Sequence, residues 1–430
     1  MRSSRWKGLV VLVSALAIIG ASCSKDTNET GTGDSSSTTA KAGSSDRGNV
    51  DGEFVLGTLV PQTGDLNVIA KSLSTPIDMA VEEINEAGGV LGKDVKVVPG
   101  DDGTDPNVAR TTYNKLINTD KVDAIVGPAP SGVAAKLVDT FQTDKVPACS
   151  GSTTAGNLTG VGGGYFFRTA PPDKLQGPAL ATLITGDNHS NVAIIARNDD
   201  YGKGFADYLS KGLKDAGAKV ATTVMYDPNG SSFDADVQKV VDSKPDAVAV
   251  IGFNDDGAKV VSAMIAKGIG PADMAIYTAD GMKSSSFAET VDPSDVSKVK
   301  GIKGTAPASA PAGIEHPFLN KFKETGIDTI FSSYFYDCTI LMALAAQAAK
   351  SDAGPDISAA FAKNLEGDND CGSYKDCLKL LNEGKSIHYR GASSNFDKWD
   401  KMEPGTGAYD IWEYDAEGKD VTLDVDQIKI

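Results

Sequence analysis

The feature that most limits the folds open to this chain is a strict alternation of strand-like and helix-like segments, run through twice. β-type residues fill 54–60, and helical periodicity over 72–87 stops at Gly88-Gly89. A strand at 95–98, a helix at 106–119, a strand at 124–126 ending in Gly127-Pro128, a helix at 131–141 and a strand running to 148 follow. After Pro171-Pro172 the rhythm resumes, with strands at 191–196, 219–226, 247–251 and 274–277 and helices at 202–216, 233–243 and 257–267. Such alternation gives parallel sheets with helices on both faces. Two runs, broken near 168–173, predict an α/β chain of two doubly wound parallel-sheet lobes. The last third is richer in helix and ends in strands near 409–414 and 421–423. The length agrees: 430 residues exceed the roughly 250–300 at which a single hydrophobic core stops growing.

The first 22 residues are not part of that pattern. Arg2, Arg5 and Lys7 precede an apolar run from Leu9 to Ile19, then Gly20-Ala21-Ser22 and Cys23. A basic start, a short apolar stretch and a small-residue exit make an export signal, and the run is short for a permanent membrane span. The cysteine after small residues resembles a bacterial lipobox, although Gly20 stands where that pattern usually has a branched aliphatic. Lipidation at Cys23 is expected, with an ordinary signal peptide and an incidental cysteine as the alternative. Residues 23–52 hold few apolar side chains and read as a flexible tether, about 25–30 Å in root-mean-square reach. The formal charge is −17, and the leader takes three bases and no acids, so beyond it 38 bases face 58 acids and the charge is −20. That balance argues against a nucleic-acid partner, whose phosphates are met by Lys and Arg. It leaves the lipid, not a basic patch, to hold the chain at the extracytoplasmic face of the cell membrane.

Four cysteines remain beyond Cys23, and they permit three pairings. Cys371 and Cys377 flank the polar stretch GSYKD and can close a small loop in an oxidising compartment. Cys149 with Cys338 would follow by elimination; buried free thiols are the alternative, above all for Cys338 in its apolar helical segment.

In open α/β sheets ligands sit beyond the carboxyl ends of the strands. The loops at 61–65, 127–132, 150–155, 199–201, 252–255 and 278–281 hold hydroxyls, glycines, aromatics and acids, but no histidine. His189, His316 and His388 are scattered, so a histidine metal site or a Ser/His/Asp triad has little to draw on. No serine lies in a GxSxG elbow. Gly384-Lys385-Ser386 looks like the end of a phosphate loop, but Lys379 stands where its first glycine belongs, and Tyr165 breaks the GxGxxG spacing after Gly160 and Gly162. No catalytic residue, cofactor or metal is expected. An extracytoplasmic hydrolase is the remote alternative.

Residues 82–92 (EEINEAGGVLG), followed by KDVKVV, resemble the end of the first helix in leucine/isoleucine/valine-type solute-binding proteins of ABC importers. DDGTDPNVA at 101–109, VDAIVGP at 122–128, VPACSGSTTAGNLT at 146–159, FRTAPPD at 167–173, DDYGKGF at 199–205 and YTADG at 277–281 extend the resemblance in order and spacing. It implies a type I periplasmic-binding fold: two lobes joined by three crossovers near 168–173, 303–307 and 395–401. The lobes would comprise 53–170 with 304–396 and 171–303 with 397–430. It also implies a monomer that binds a small solute between its lobes and delivers it to membrane permease subunits.

Carried over residue by residue, the resemblance gives Ser131 the ligand carboxylate, and a helix start there would favour an anion. Ser152, Thr153 and Thr154 match the second binding loop, with the Ser152 carbonyl facing the ammonium and Thr154 serving either end. Asp280 aligns with the acid that pairs with the ammonium, and Tyr201 and Phe253 align with aromatic walls of the second lobe. Each has a plainer reading: Ser131 as a helix cap, Asp280 as a turn residue before Gly281, Tyr201 as packing. Ile69, beside Val68, falls where selective members often carry a large aromatic. The side-chain pocket is therefore expected to differ in size, so leucine, isoleucine or valine does not follow from the resemblance; an amino acid with an aliphatic side chain is the first expectation. Amides, urea or aromatic acids, or a sensing role, are the alternatives.

Overall fold

The computed structural model describes residues 51–430. The expected leader, the lipidated Cys23 and all but the last two tether residues lie outside that range. Asp51 and Gly52 are tied to the body, since both amides donate to Asp352 Oδ2 at 3.0 and 2.7 Å.

The first lobe is built on a five-stranded parallel sheet of β1 (Val55–Thr58), β2 (Lys96–Val98), β3 (Ala124–Val126), β4 (Ala148–Ser150) and β5 (Phe166–Arg168), in the order β2-β1-β3-β4-β5. Helices α1 (Ala70–Glu86), α2 (Pro106–Asn118) and α3 (Ser131–Asp144) connect its strands. The strand expected to run up to 148 instead begins there, because Pro147 has no N–H to give a ladder. β5 is an additional strand, buried at all three positions and overlapping the start of the motif FRTAPPD.

The chain then enters the second lobe. It runs through α4 (Asp173–Gly186), β6 (Asn191–Arg197), α5 (Asp200–Asp215), β7 (Lys219–Tyr226), α6 (Asp234–Asp242), β8 (Ala247–Ile251), α7 (Asn254–Ala266), β9 (Ala275–Thr278), α8 (Phe287–Val291) and β10 (Lys303–Pro307). α4 escapes the sequence pattern because Gly177-Pro178 reads as a break. Pro178 lies inside the helix, and a Cβ on Gly177 would stand 2.7 Å from Tyr208 Cβ and 2.8 Å from Leu209 N on α5. The pair sacrifices helix propensity for close α4–α5 packing. β8 (AVAVI) is buried at every position, as a parallel strand covered on both faces must be.

From 308 the chain returns to the first lobe with α9 (Pro317–Lys323), α10 (Ser332–Ala349), α11 (Gly354–Phe361), β11 (Asn369–Cys371), α12 (Tyr374–Asn382) and β12 (Ile387–Tyr389). The small ribbon β13 (Trp399–Asp400) and β14 (Glu403–Pro404) leads back to β15 (Ala408–Tyr414), β16 (Asp420–Thr422) and β17 (Ile428–Lys429). The second sheet has the order β16-β15-β10-β9-β8-β6-β7, with β17 also on β15. β15 runs antiparallel to β10. Lys303–Pro307, expected as a crossover, is thus a strand inside this sheet, and the chain crosses just after it. α10 is buried at every position from Ser332 to Ala346, which an apolar helix needs. Both disulfides are formed: Cys149–Cys338 joins β4 to α10 and Cys371–Cys377 joins β11 to α12, with Cα separations of 5.6 and 5.2 Å. Cys338 is therefore not a free thiol.

Candidate functional site

Each sheet changes winding direction once, between β1 and β3 in the first lobe and between β6 and β8 in the second. Loops beyond the strand ends diverge at such switch points and leave a crevice. The loops after β1 and β3 bring Ile69 and Ser131, and those after β6 and β8 bring Tyr201 and Phe253. They meet across one interlobe cavity. Its walls contain Ile69, Ser131, Ser152, Thr154, Tyr201, Phe253 and Asp280. Thr153 is not among them: it is fully buried behind the loop, its amide bonded to Ser150 Oγ at 3.1 Å and its carbonyl to Arg168 at 3.3 Å.

On the first lobe, Ser131 opens α3 but does not cap it; the cap position is Pro130, with no side-chain bond. Its Oγ accepts the amides of Thr154 and Ala155 at 3.2 and 3.3 Å. Two incoming N–H groups orient the hydroxyl so that its own proton can go to a third partner. Ser152 Oγ donates to the Ala129 carbonyl (3.0 Å) and Ser150 Oγ to that of Pro128 (2.6 Å), so the loops after β3 and β4 form one unit. Asp102, from DDGTDPNVA, accepts the Ala129 amide at 3.1 Å. Burial pushes its carboxyl up to about 7. Arg168, buried to 1% exposure, braces the same unit through the Ala155 carbonyl (2.8 Å) and pairs with equally buried Glu403, which also takes Lys174 at 2.7 Å.

On the second lobe, Asp280 follows β9, and its Oδ1 accepts Gln176 Nε2 at 2.7 Å and the Tyr201 hydroxyl at 3.4 Å. Burial pushes its carboxyl up to about 6, against those two hydrogen bonds. Tyr201 stacks on Phe253 with centroids 5.4 Å apart, and the Arg197 guanidinium lies 3.6 Å from the Phe253 ring centre. The stack leaves no room at Gly281, where a Cβ would be 2.5 Å from the Gly252 carbonyl and 3.0 Å from Phe253.

Sequence reasoning missed three residues here. Asp173, at the end of FRTAPPD, is wholly buried, with Thr154 and the Asp280 carboxylate as neighbours. Burial and then the neighbouring Asp280 carboxylate hold its pKa far above the usual range. An acid after Pro-Pro reads as a helix start, so only its burial marks it. Lys283 and Phe331 line the cavity without belonging to any quoted motif.

Two doubly wound lobes facing each other across a polar-ended, aromatic-walled crevice define a type I periplasmic-binding architecture. The chain belongs to the periplasmic binding protein family, which matches residues 53–376. A similar curated protein is the chemotactic signal transduction system substrate-binding protein BasB of Halobacterium salinarum, 28% identical over 366 residues, 82% of this chain and 85% of that one. Among solved structures, the leucine binding protein LivK of Thermotoga maritima has a TM-score of 0.72 at 19% identity, covering 87% of this chain and 98% of its own. The branched-chain amino acid transporter substrate binding protein LivJ of Streptococcus pneumoniae, in complex with isoleucine, has a TM-score of 0.69 at 24% identity, covering 88% and 100%. These two share the fold.

Proposed function

We propose that this chain is the extracytoplasmic receptor of an ABC importer, which closes two lobes over an amino acid and presents it to a permease. The observation that carries this reading is the meeting of two polar ends in one cavity: an oriented serine hydroxyl at a helix start on one lobe, and a buried acid beside an aromatic stack on the other. In this reading the ligand carboxylate takes the Ser131 proton and the Thr154 hydroxyl, helped by the positive end of α3. The ammonium takes the Ser152 carbonyl and Asp280. Ile69, Phe253 and Phe331 leave an apolar space for an aliphatic side chain, and Tyr201 closes over it. Closure removes water and strengthens each charged contact. Each sheet with its helices acts as one rigid lobe, the chain acts as a monomer, and the crossovers near 168–173, 307–308 and 397–407 bend between the lobes.

The test is calorimetric titration with every amino acid; binding of amides or urea with no amino acid response would sink the reading. A sensing role is the second reading, favoured by the similarity to BasB, a chemotactic signal transduction system substrate-binding protein. A receptor that binds amino acids but does not support their uptake in cells would decide for it.

Anchoring is proposed through lipid on Cys23, which follows a basic start, an apolar run and the small residues Gly20-Ala21-Ser22. Cys23→Ser should release the protein into the medium. Retention on the membrane would count against the anchor.

A further inference from the structure

Lys283 is the one cation among the described residues that line the cavity, and the ligand contacts proposed above give it no part. It is 9% exposed, and its Nζ is 2.8 Å from Asp420 Oδ2 on β16, within its own lobe. The same ammonium lies 3.8 Å from Asp328 Oδ1, which belongs to the first lobe, between α9 and α10. Asp410 on β15 adds a third acid at longer range. Lys283 is therefore rooted on one side of the cleft and reaches across it to the other.

Asp328 is placed where such a reach has a consequence. Its Oδ1 also accepts the Ile330 amide at 3.0 Å, closing the short turn that delivers Phe331 to the cavity wall. Phe331 has φ 57° and ψ 4°, a left-handed conformation that a bulky L residue rarely adopts. Strained residues of this kind persist where their surroundings hold them, and they gather at ligand clamps. The Asp328 carboxylate is one such support, and Lys283 engages the same oxygen from the opposite lobe.

We propose that Lys283 is a positioning residue that couples lobe closure to the seating of Phe331. Its pairing with Asp328 forms as the lobes meet and steadies the 328–331 turn against the ligand side chain. Selectivity between short and long side chains is then set in part by an ion pair that never touches the amino-acid end of the ligand. The inference rests on the proposed reading of the cleft as an amino-acid site.

The test compares wild type with Asp328→Asn, Lys283→Met, the Lys283→Met/Asp328→Asn pair and Lys283→Arg, titrated with alanine and with leucine. Asp328→Asn should weaken leucine binding roughly three- to ten-fold, mainly through faster release, and alanine by less than about two-fold. The double variant should lose little more than the single ones, and Lys283→Arg should keep the selectivity. Equal losses for both ligands, or additive losses in the double variant, would overturn the proposal. Ligand-free protein carrying one spin label on each lobe supplies a readout independent of ligand identity: the closed fraction should fall in Asp328→Asn and with added salt. An unchanged closed fraction overturns the coupling. Wild type that binds no amino acid overturns the proposed function instead, and the closed fraction still decides the ion pair.

Discussion

Asp280 is the one acid among the described residues that line the cavity, and it combines burial with two hydrogen bonds to a single oxygen. A ligand ammonium brought into so dry a place needs that charge. Asp280→Ala should weaken binding of a zwitterionic amino acid by about 2–5 kcal/mol, read by calorimetry. Unchanged affinity would remove Asp280 from the site. Because burial holds its carboxyl at about 6, acidification below that value fills the ligand-free carboxylate with a proton that the ammonium must displace. Affinity should fall by up to about tenfold per pH unit below pH 6 and be nearly flat above it. At this scale much was legible from sequence. Ser131, Ser152, Thr154, Tyr201, Phe253 and Asp280 each follow a strand end and align with a family position, and all reach one cavity. Thr153 does not, since in a three-residue polar run the sequence cannot say which hydroxyl turns inward.

At the scale of elements, the binding loops are held by covalent and ionic braces from distant parts of the chain. Cys149 immediately precedes Ser150, whose hydroxyl organises the loop containing Ser152–Thr154, and its disulfide ties β4 to α10 across 189 residues. Cys371–Cys377 spans only 6. In a chain-entropy account the longer loop stabilises by about 5 kcal/mol and the shorter by about 2. Urea titration of Cys149→Ser/Cys338→Ser should show the larger loss of stability, and an equal loss in Cys371→Ser/Cys377→Ser would contradict that account. The elements that sequence reasoning did not find, β5 and α4, are those whose local signals conflict with their surroundings. β5 is three residues long and lies just before Pro171-Pro172, and α4 carries Gly177-Pro178 for the sake of its contact with α5.

For the whole molecule, the acidic balance meets a set of buried carboxyls that folding makes weaker acids. Burial pushes Asp102 up to about 7 and Asp123 up to about 8, alongside Asp280. Their unfolded values lie near 4, so between about pH 4 and pH 8 the native state binds more protons than the unfolded chain. Stability should therefore fall as pH rises through that window. Acidification from pH 8 to pH 5 also reduces the self-repulsion of a chain with net charge −17. The midpoint of thermal unfolding should be higher at pH 5 than at pH 8. A lower midpoint at pH 5 would show that ion pairs of ionised carboxylates dominate instead.

The sequence by itself determined the two-lobed α/β architecture and the loops that carry the cleft, because hydrophobic periodicity is local and parallel sheets place their ligands beyond strand ends. It also narrowed the cysteines to three pairings. Only the tertiary structure decided what surrounds those loops. Arg168 meets Glu403 from 235 residues away, and Lys283 meets Asp420 from 137. The burial of Asp173 and the left-handed backbone of Phe331 likewise leave no periodic trace. Such features depend on which distant segments the fold brings together and how far it excludes water, and neither quantity exists until the two lobes are packed.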